Sequence, residues 1–282
     1  MKTWAIFNNV FSNYPALYAV LNHAKSLGSE AFLCLGNLVG FGPQPLACLK
    51  TAHEEHILLT QGQMEFMVGA GKFTHSLADD QFTVKGALSN IKELQDSGQE
   101  QRLACHFQEE MYQLDKTKII KINEKNDLVM GHSSLSPKHK IWPPPWPKIK
   151  DRKSLASEII LAKRSSENAS LVLLGNTRDG LWMDMERRNI QNTRLFNGRV
   201  FIQEPTCLLV NPGSVGQLDS VTNLDENGFG QASYVTLHIP EEEDEEKSWV
   251  EFHTVRYNAM GCLQTMKEKG FDQDEMKFLF NL

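Results

Sequence analysis

An asparagine stands where the chain would be expected to do its chemistry. In LCLGNLVGFGP, residues 33–43, an apolar run ends at Gly36, Asn37 follows, and a second apolar-glycine run begins at once. α/β proteins place catalytic and ligand-binding side chains at such strand ends. A carboxylate there holds a metal or moves a proton, and an amide does neither well. Other reactive residue types are less well arranged. His132, Ser133 and Ser134 put hydroxyls beside an imidazole, but sequence neighbours rarely face each other and no aspartate is in register to orient the ring. His53, Glu54, Glu55 and His56 lack the i, i+4 histidine spacing that puts two ligands on one helix face, so a solvated helix end is expected. His75, Asp79 and Asp80 would matter only as a relocated metal site in a helical segment.

The elements that must position these residues follow from punctuation and periodicity. TWAIF (3–7), EAFLCLG (30–36) and HILLTQG (56–62) read as short buried strands. Between them, PALYAVLNHAKSLG and PQPLACLKTAHEEH read as helices, each with proline in its first turn. This β-α-β-α-β order predicts a parallel sheet with its loops gathered at the carboxyl edge. A helical, polar insertion spans about 76–116, followed by a hairpin around Glu124–Asn126 and a helix from Ser154 to Ser166. Further strands are SLVLLGNTRDG, RVFIQ, TCLLVNPGS, ASYVTLHIP and WVEFHTVRY. The acidic run Glu241–Lys247 reads as a solvated hairpin tip. One α/β domain over 1–258 is the economical arrangement, with two sheets face to face. A helical extension, 259–282, packs on it, and its apolar tail (Met276, Phe278, Leu279, Phe280) is docked on the core or forms a dimer contact.

Composition narrows the function classes. A formal net charge of −6 argues against a nucleic-acid surface, which needs a basic patch. Cys34, Cys48, Cys105, Cys207 and Cys262 are odd in number and show no paired spacing, so reduced thiols and a cytoplasmic location are expected. No signal peptide is apparent, and no apolar run approaches the ~20 residues that span a bilayer, so no membrane partner is expected.

NYPALYAVL, LCLGNLVGFGP, LVNPGSVGQ and the closing ASYVTLHI and WVEFHTVRYN together resemble the calcineurin-like metallophosphoesterase superfamily, in particular its small bacterial and archaeal phosphodiesterase branch. The resemblance covers nearly the whole chain. It implies a four-layer α/β/β/α sandwich, two divalent ions such as Mn, Fe or Ni at the strand ends, and hydrolysis of phosphoesters by a metal-activated water. The ligands would come from D-x-H, G-D, G-N-H-D, H-G and G-H-T-H motifs.

Residue by residue, those ligands are replaced. The first motif falls on Asn9 and Phe11, the second on Asn37, and G-N-H-D on Gly62, Gln63, Met64 and Glu65. H-G falls on Met130 and Gly131, with His132 two positions late and expected to point elsewhere, and G-H-T-H falls on Gly175, Asn176, Thr177 and Arg178. Amide oxygens bind hard cations, but normally beside carboxylates. The resemblance therefore implies a scaffold without its dinuclear centre: no metal, no cofactor and no catalytic residue.

Three functions remain open. The first is a pseudoenzyme acting as a protein-interaction or regulatory module. The second is a metal-free sensor of an anionic nucleotide or phosphoester, built from Asn9, Asn37, Gln63, Asn176, Arg178 and Asn211. The third is a phosphoesterase with a non-standard site. Against the sensor stands a closed amide network, with Arg178 paired internally to Glu65 or Asp179. The loop IWPPPWPKIKDRK, with Trp142 and Trp146 around three prolines, is a lid or local packing, or else a protein-docking loop. A homo-oligomer is a further possibility.

Overall fold

The computed structural model describes residues 1–71, 81–135, 151–184, 190–192, 198–202, 206–218, 223–241 and 247–282. Two six-stranded mixed sheets face one another, with helices on both outer faces, giving the α/β/β/α sandwich.

The first sheet opens with β1 (Lys2–Phe7), β2 (Ala31–Cys34) and β3 (Leu58–Leu59), all parallel. α1 (Tyr14–Ser26) and α2 (Pro45–Glu54) cross between them. Asn13 caps α1 by accepting from the Ala16 N–H, Pro15 lies in its first turn, and Gly28 follows it at φ 80°. The long hairpin of β11 (Phe229–Ile239) and β12 (Trp249–Asn258) completes the sheet on the other side of β1, with β9 (Arg199–Phe201) at the edge.

The second sheet runs β4 (Thr117–Lys121), β5 (Asp127–Gly131), β6 (Ala169–Leu174), β10 (Leu208–Asn211), β7 (Leu181–Asp184) and β8 (Ile190–Asn192). β5, β6 and β10 are parallel, so their loops leave at one edge.

Strand alternation separates three apolar layers. Ile6, Leu33, Leu171, Leu173, Val210 and Val235 meet between the sheets. Ala5, Phe7 and Cys34, one residue out of phase, face the helices of the first sheet. Val172, Leu174 and Leu209 face α6 (Arg152–Ser165). The expected insertion folds as α4 (Gln81–Gln95) and α5 (Gln101–Gln113), and the C-terminal extension as α7 (Ala259–Glu268) and α8 (Gln273–Phe280). In α8, Met276, Leu279 and Phe280 are buried against the first sheet's helical layer.

Three features depart from the sequence reading. The third strand is only Leu58–Leu59, because Ile57 turns into the core beside α2 while Thr60 and Gln61 already serve the loop. α3 (Gln63–Ala70) and the strands β7 and β8 were not expected. α3 has apolar residues almost all round, with no helical stripe to reveal it, and it starts on Gly62 rather than a polar cap. The proline-rich Trp142–Trp146 loop, and His75, Asp79 and Asp80, lie outside the described residues. Among the described residues no helix is long and apolar enough to cross a membrane.

Candidate functional site

The loops after β1, β2, β3, β5, β6 and β10 converge at one edge of the sandwich, as the parallel strands require. Asn9, Asn37 and Asn176 all adopt left-handed backbone, φ 53°, 55° and 60°. Asparagine tolerates that region better than most residues. Phe11 and Phe41, both at φ 51°, do not belong there by intrinsic preference. Phe11 is held by its N–H to the Asn37 carbonyl (2.9 Å) and by Gly42 N–H to its own carbonyl (2.8 Å). The loop backbone thus keeps the strained conformations typical of functional sites.

The amides on this floor are bonded to one another and to backbone. Asn9 Nδ2 donates to Thr177 O (3.1 Å), Asn37 Nδ2 donates to Asn9 Oδ1 (3.0 Å), and Met64 N–H donates to Asn37 Oδ1 (3.0 Å). Asn211 Nδ2 donates to Gly175 O (2.9 Å) and to Thr177 Oγ1 (2.7 Å), and its Oδ1 accepts from Gly213 N–H. Gln63 begins α3 and is half-buried. Met64 is buried against Gly40, and Met130 lies in the apolar layer between the sheets.

Glu65, the one carboxylate among the substituted positions, is fully buried and structural. Its two oxygens accept from the N–H groups of Asn37 (2.7 Å), Leu38 (2.6 Å), Val39 (3.3 Å) and Gly62 (2.9 Å). Burial pushes the carboxyl above its usual range, and the amides of Asn37, Val39 and Gly62 pull it back down. Gly62 must be glycine here, since a Cβ would lie 2.7 Å from Asn37 N and Glu65 Oε2. Glu65 therefore has no oxygen to spare for Arg178, which corrects one expected pairing.

His132 does not point elsewhere. It is 1% exposed and lies at the floor of the cleft: a Cβ on Gly36 would come within 2.9 Å of its Nδ1, and one on Gly175 within 3.2 Å. Nδ1 is bonded to Leu35 O at 2.8 Å, which places the proton on Nδ1. Burial pushes the ring's pKa down to about 4, with Leu35 and Asn176 pulling the other way, so the ring is neutral at ordinary pH. The sequence reading failed because β5 runs one residue beyond Met130 and then turns inward under the glycines of the neighbouring loops.

Aromatic rings and a guanidinium fill the mouth. Phe11 meets Phe41 edge-on (centroids 5.3 Å) and Phe278 edge-on (5.6 Å), while Phe41 and Phe278 stack at 4.1 Å. Arg178 lies over the Phe278 ring at 5.3 Å, donates from Nη1 to Asn281 Oδ1 (3.0 Å) and from Nη2 to Phe278 O (3.3 Å). Its partners are thus in and just after α8; burial lowers its pKa and the charge of Asp179 opposes that. Phe41, Gln217 and Asn281 were not singled out in the sequence, and Phe278 was expected only as part of an apolar tail docked on the core or forming a dimer contact.

Other candidates stand apart. His53 is exposed at the end of α2, near Phe107 of α5. Cavities of about 510 Å³, lined by Lys2, Ser170 and Glu241 among others, and about 380 Å³, lined by His53, Phe107 and Met111 among others, include none of Asn9, Asn37, Gln63, Asn176, Arg178 or Asn211. Among the described residues no three His, Cys, Asp or Glu side chains converge to hold a metal ion. The two divalent metals of the fold family do not fit the residues present. Asn9 and Asn37 spend their amides on each other and on backbone, Phe11 and Met64 offer no donor, and Arg178 brings a fixed positive charge.

No protein-family profile matches the chain. In sequence it is 28% identical over 259 residues to the uncharacterised protein MJ0912 of Methanocaldococcus jannaschii, covering 90% of this chain and 87% of that one. In structure it is similar to a metallophosphoesterase from Sphaerobacter thermophilus, with a TM-score of 0.72 at 20% identity over 99% of this chain and 98% of the other. It is also similar to the hypothetical protein PH1004 from Pyrococcus horikoshii, with a TM-score of 0.67 at 16% identity over the same shares. The chain has the calcineurin-like metallophosphoesterase fold.

Proposed function

We propose that this protein is a non-hydrolytic member of the metallophosphoesterase fold, acting as a protein-interaction or regulatory module. One observation carries the reading: the side chains best placed to hold a ligand at this edge are already bonded within the fold. Asn9, Asn37, Glu65 and Asn211 have their hydrogen bonds taken up by neighbouring loops, and Phe11, Phe41 and Phe278 pack across the mouth. Hydrolysis of the family kind needs anionic and imidazole ligands to hold two cations and lower the pKa of a bridging water. At this edge the buried His132 imidazole donates to Leu35 O and the buried Glu65 carboxylate accepts from backbone amides. Fold alone does not supply the missing chemistry.

The test is hydrolysis of bis(p-nitrophenyl) phosphate and p-nitrophenyl phosphate with added Mn²⁺, Fe²⁺ or Ni²⁺, beside an active protein of the same fold. The expected rate is that of the metal ions alone. Turnover that survives repurification and scales with protein would overturn the reading and restore the hydrolase alternative.

A further inference from the structure

We propose that Arg178 is an oxyanion-binding group whose place is taken, in the resting chain, by the C-terminal turn of α8, so that an oxyanion and α8 compete for the same guanidinium. This rests on the reading that the cleft holds no metal.

The argument begins with donors. Four converge on the last turn of α8 from two different loops. Arg178 Nη1 reaches Asn281 Oδ1 (3.0 Å) and Nη2 reaches Phe278 O (3.3 Å). Gln217 Nε2 donates to the same Phe278 carbonyl (2.8 Å), and Leu218 N–H donates to Leu279 O (2.8 Å). All their acceptors are neutral oxygens. A helix C-terminus carries a partial negative charge of roughly half an electron, so it is a weak stand-in for an anion. A phosphate or carboxylate offers the guanidinium a two-pronged contact between opposite charges, which its present neutral acceptors do not. Among the described residues the acidic neighbour whose charge bears on Arg178 is Asp179, while Gln217 Nε2 and Leu218 N–H add neutral donors beside the guanidinium.

The second part of the argument is that α8 can yield. It has eight residues, too few to persist as a helix without tertiary support. That support is the aromatic stack of Phe278, the burial of Met276, Leu279 and Phe280, and the ion pair of Lys85 with Asp272. The polar half of its attachment is the set of donors an anion would claim. Binding there loosens the last turn of α8, which makes the C-terminal helix the readout of the cleft.

Hydrogen exchange on the full chain tests this, with inorganic phosphate and adenosine 5′-monophosphate as probes and sodium chloride matching ionic strength. The variants are Arg178→Gln and Asn281→Gly; glycine keeps the left-handed backbone that Asn281 adopts at φ 51°. In the wild type, phosphate should speed exchange of the amides from Glu275 to Asn281 and of Leu218, leaving β1 and β2 unchanged. Asn281→Gly should respond at about tenfold lower phosphate, having lost one contact to the charged group. Arg178→Gln should show no phosphate response. AMP acting at lower concentration than phosphate assigns the cradle to phosphoesters, and equal potency assigns it to the free ion. No phosphate or AMP effect in either wild type or Asn281→Gly, or the same effect in Arg178→Gln, overturns the proposal. A metal count on the same samples separates the two failures: bound metal removes the metal-free reading, whereas no metal and no anion effect removes this inference alone.

Discussion

At the scale of single residues, amides set the character of the loop edge. Asn9 and Asn37 both adopt left-handed backbone and are bonded to each other, Asn37 Nδ2 donating to Asn9 Oδ1. His132 is the residue whose role is most open to measurement. Its ring is held neutral in the fold, with a pKa of about 4, whereas an unfolded chain protonates it near the ordinary value. The unfolded state therefore takes up a proton that the fold refuses as pH falls from about 6.5 towards 4, and stability drops across that window. Between pH 7 and 5 His132 should contribute a loss of about 2 kcal/mol. Urea unfolding of wild type and His132→Asn at both pH values isolates it from His253, which burial also depresses. Asparagine keeps a donor for Leu35 O but has no proton to gain. Equal pH dependence in the two proteins would contradict this assignment. At this scale the sequence was legible for which loops gather at the edge, because glycines and prolines punctuate the strand ends there. It was not legible for His132, whose direction depends on where β5 ends, nor for Arg178, whose partners lie about 100 residues away.

At the scale of elements, the alternation of buried strands and proline-started helices made the β-α-β-α-β opening and the β11–β12 hairpin readable. β7 and β8 were not, because LWMD and IQN are too short to show a period, β7 borrowing its pairing from β10 and β8 from β7. α8 shows the limit most clearly. Its capping box, Asp272 with Glu275, fixes where it starts, but only tertiary contacts decide that Phe278 enters the cleft. Phe278→Ala should cost about 3 kcal/mol, the low end for a phenylalanine truncated in a packed site, since Phe278 is only partly buried. Urea denaturation followed by circular dichroism measures it. A loss under about 0.5 kcal/mol, the size of an ordinary surface substitution, would mean the aromatic stack does not anchor α8.

At the scale of the whole molecule, two sheets and three apolar layers carry the loop edge on which the proposed reading turns. On the reading proposed above, five strand-end loops carry amides, apolar side chains and a guanidinium at the positions of metal ligands, and Asn9, Asn37, Phe11 and Arg178 are bonded or packed within the fold. The central claim is that this edge holds no dinuclear centre. The most direct measurement is metal stoichiometry: full-length protein incubated with Mn²⁺, dialysed, and analysed by elemental mass spectrometry beside an active protein of the same fold. The account predicts less than about a tenth of an equivalent per chain, since too few anionic and imidazole donors remain to hold an ion. One or two ions retained per chain would contradict it, and would mean that a second ligand set has taken over from the first.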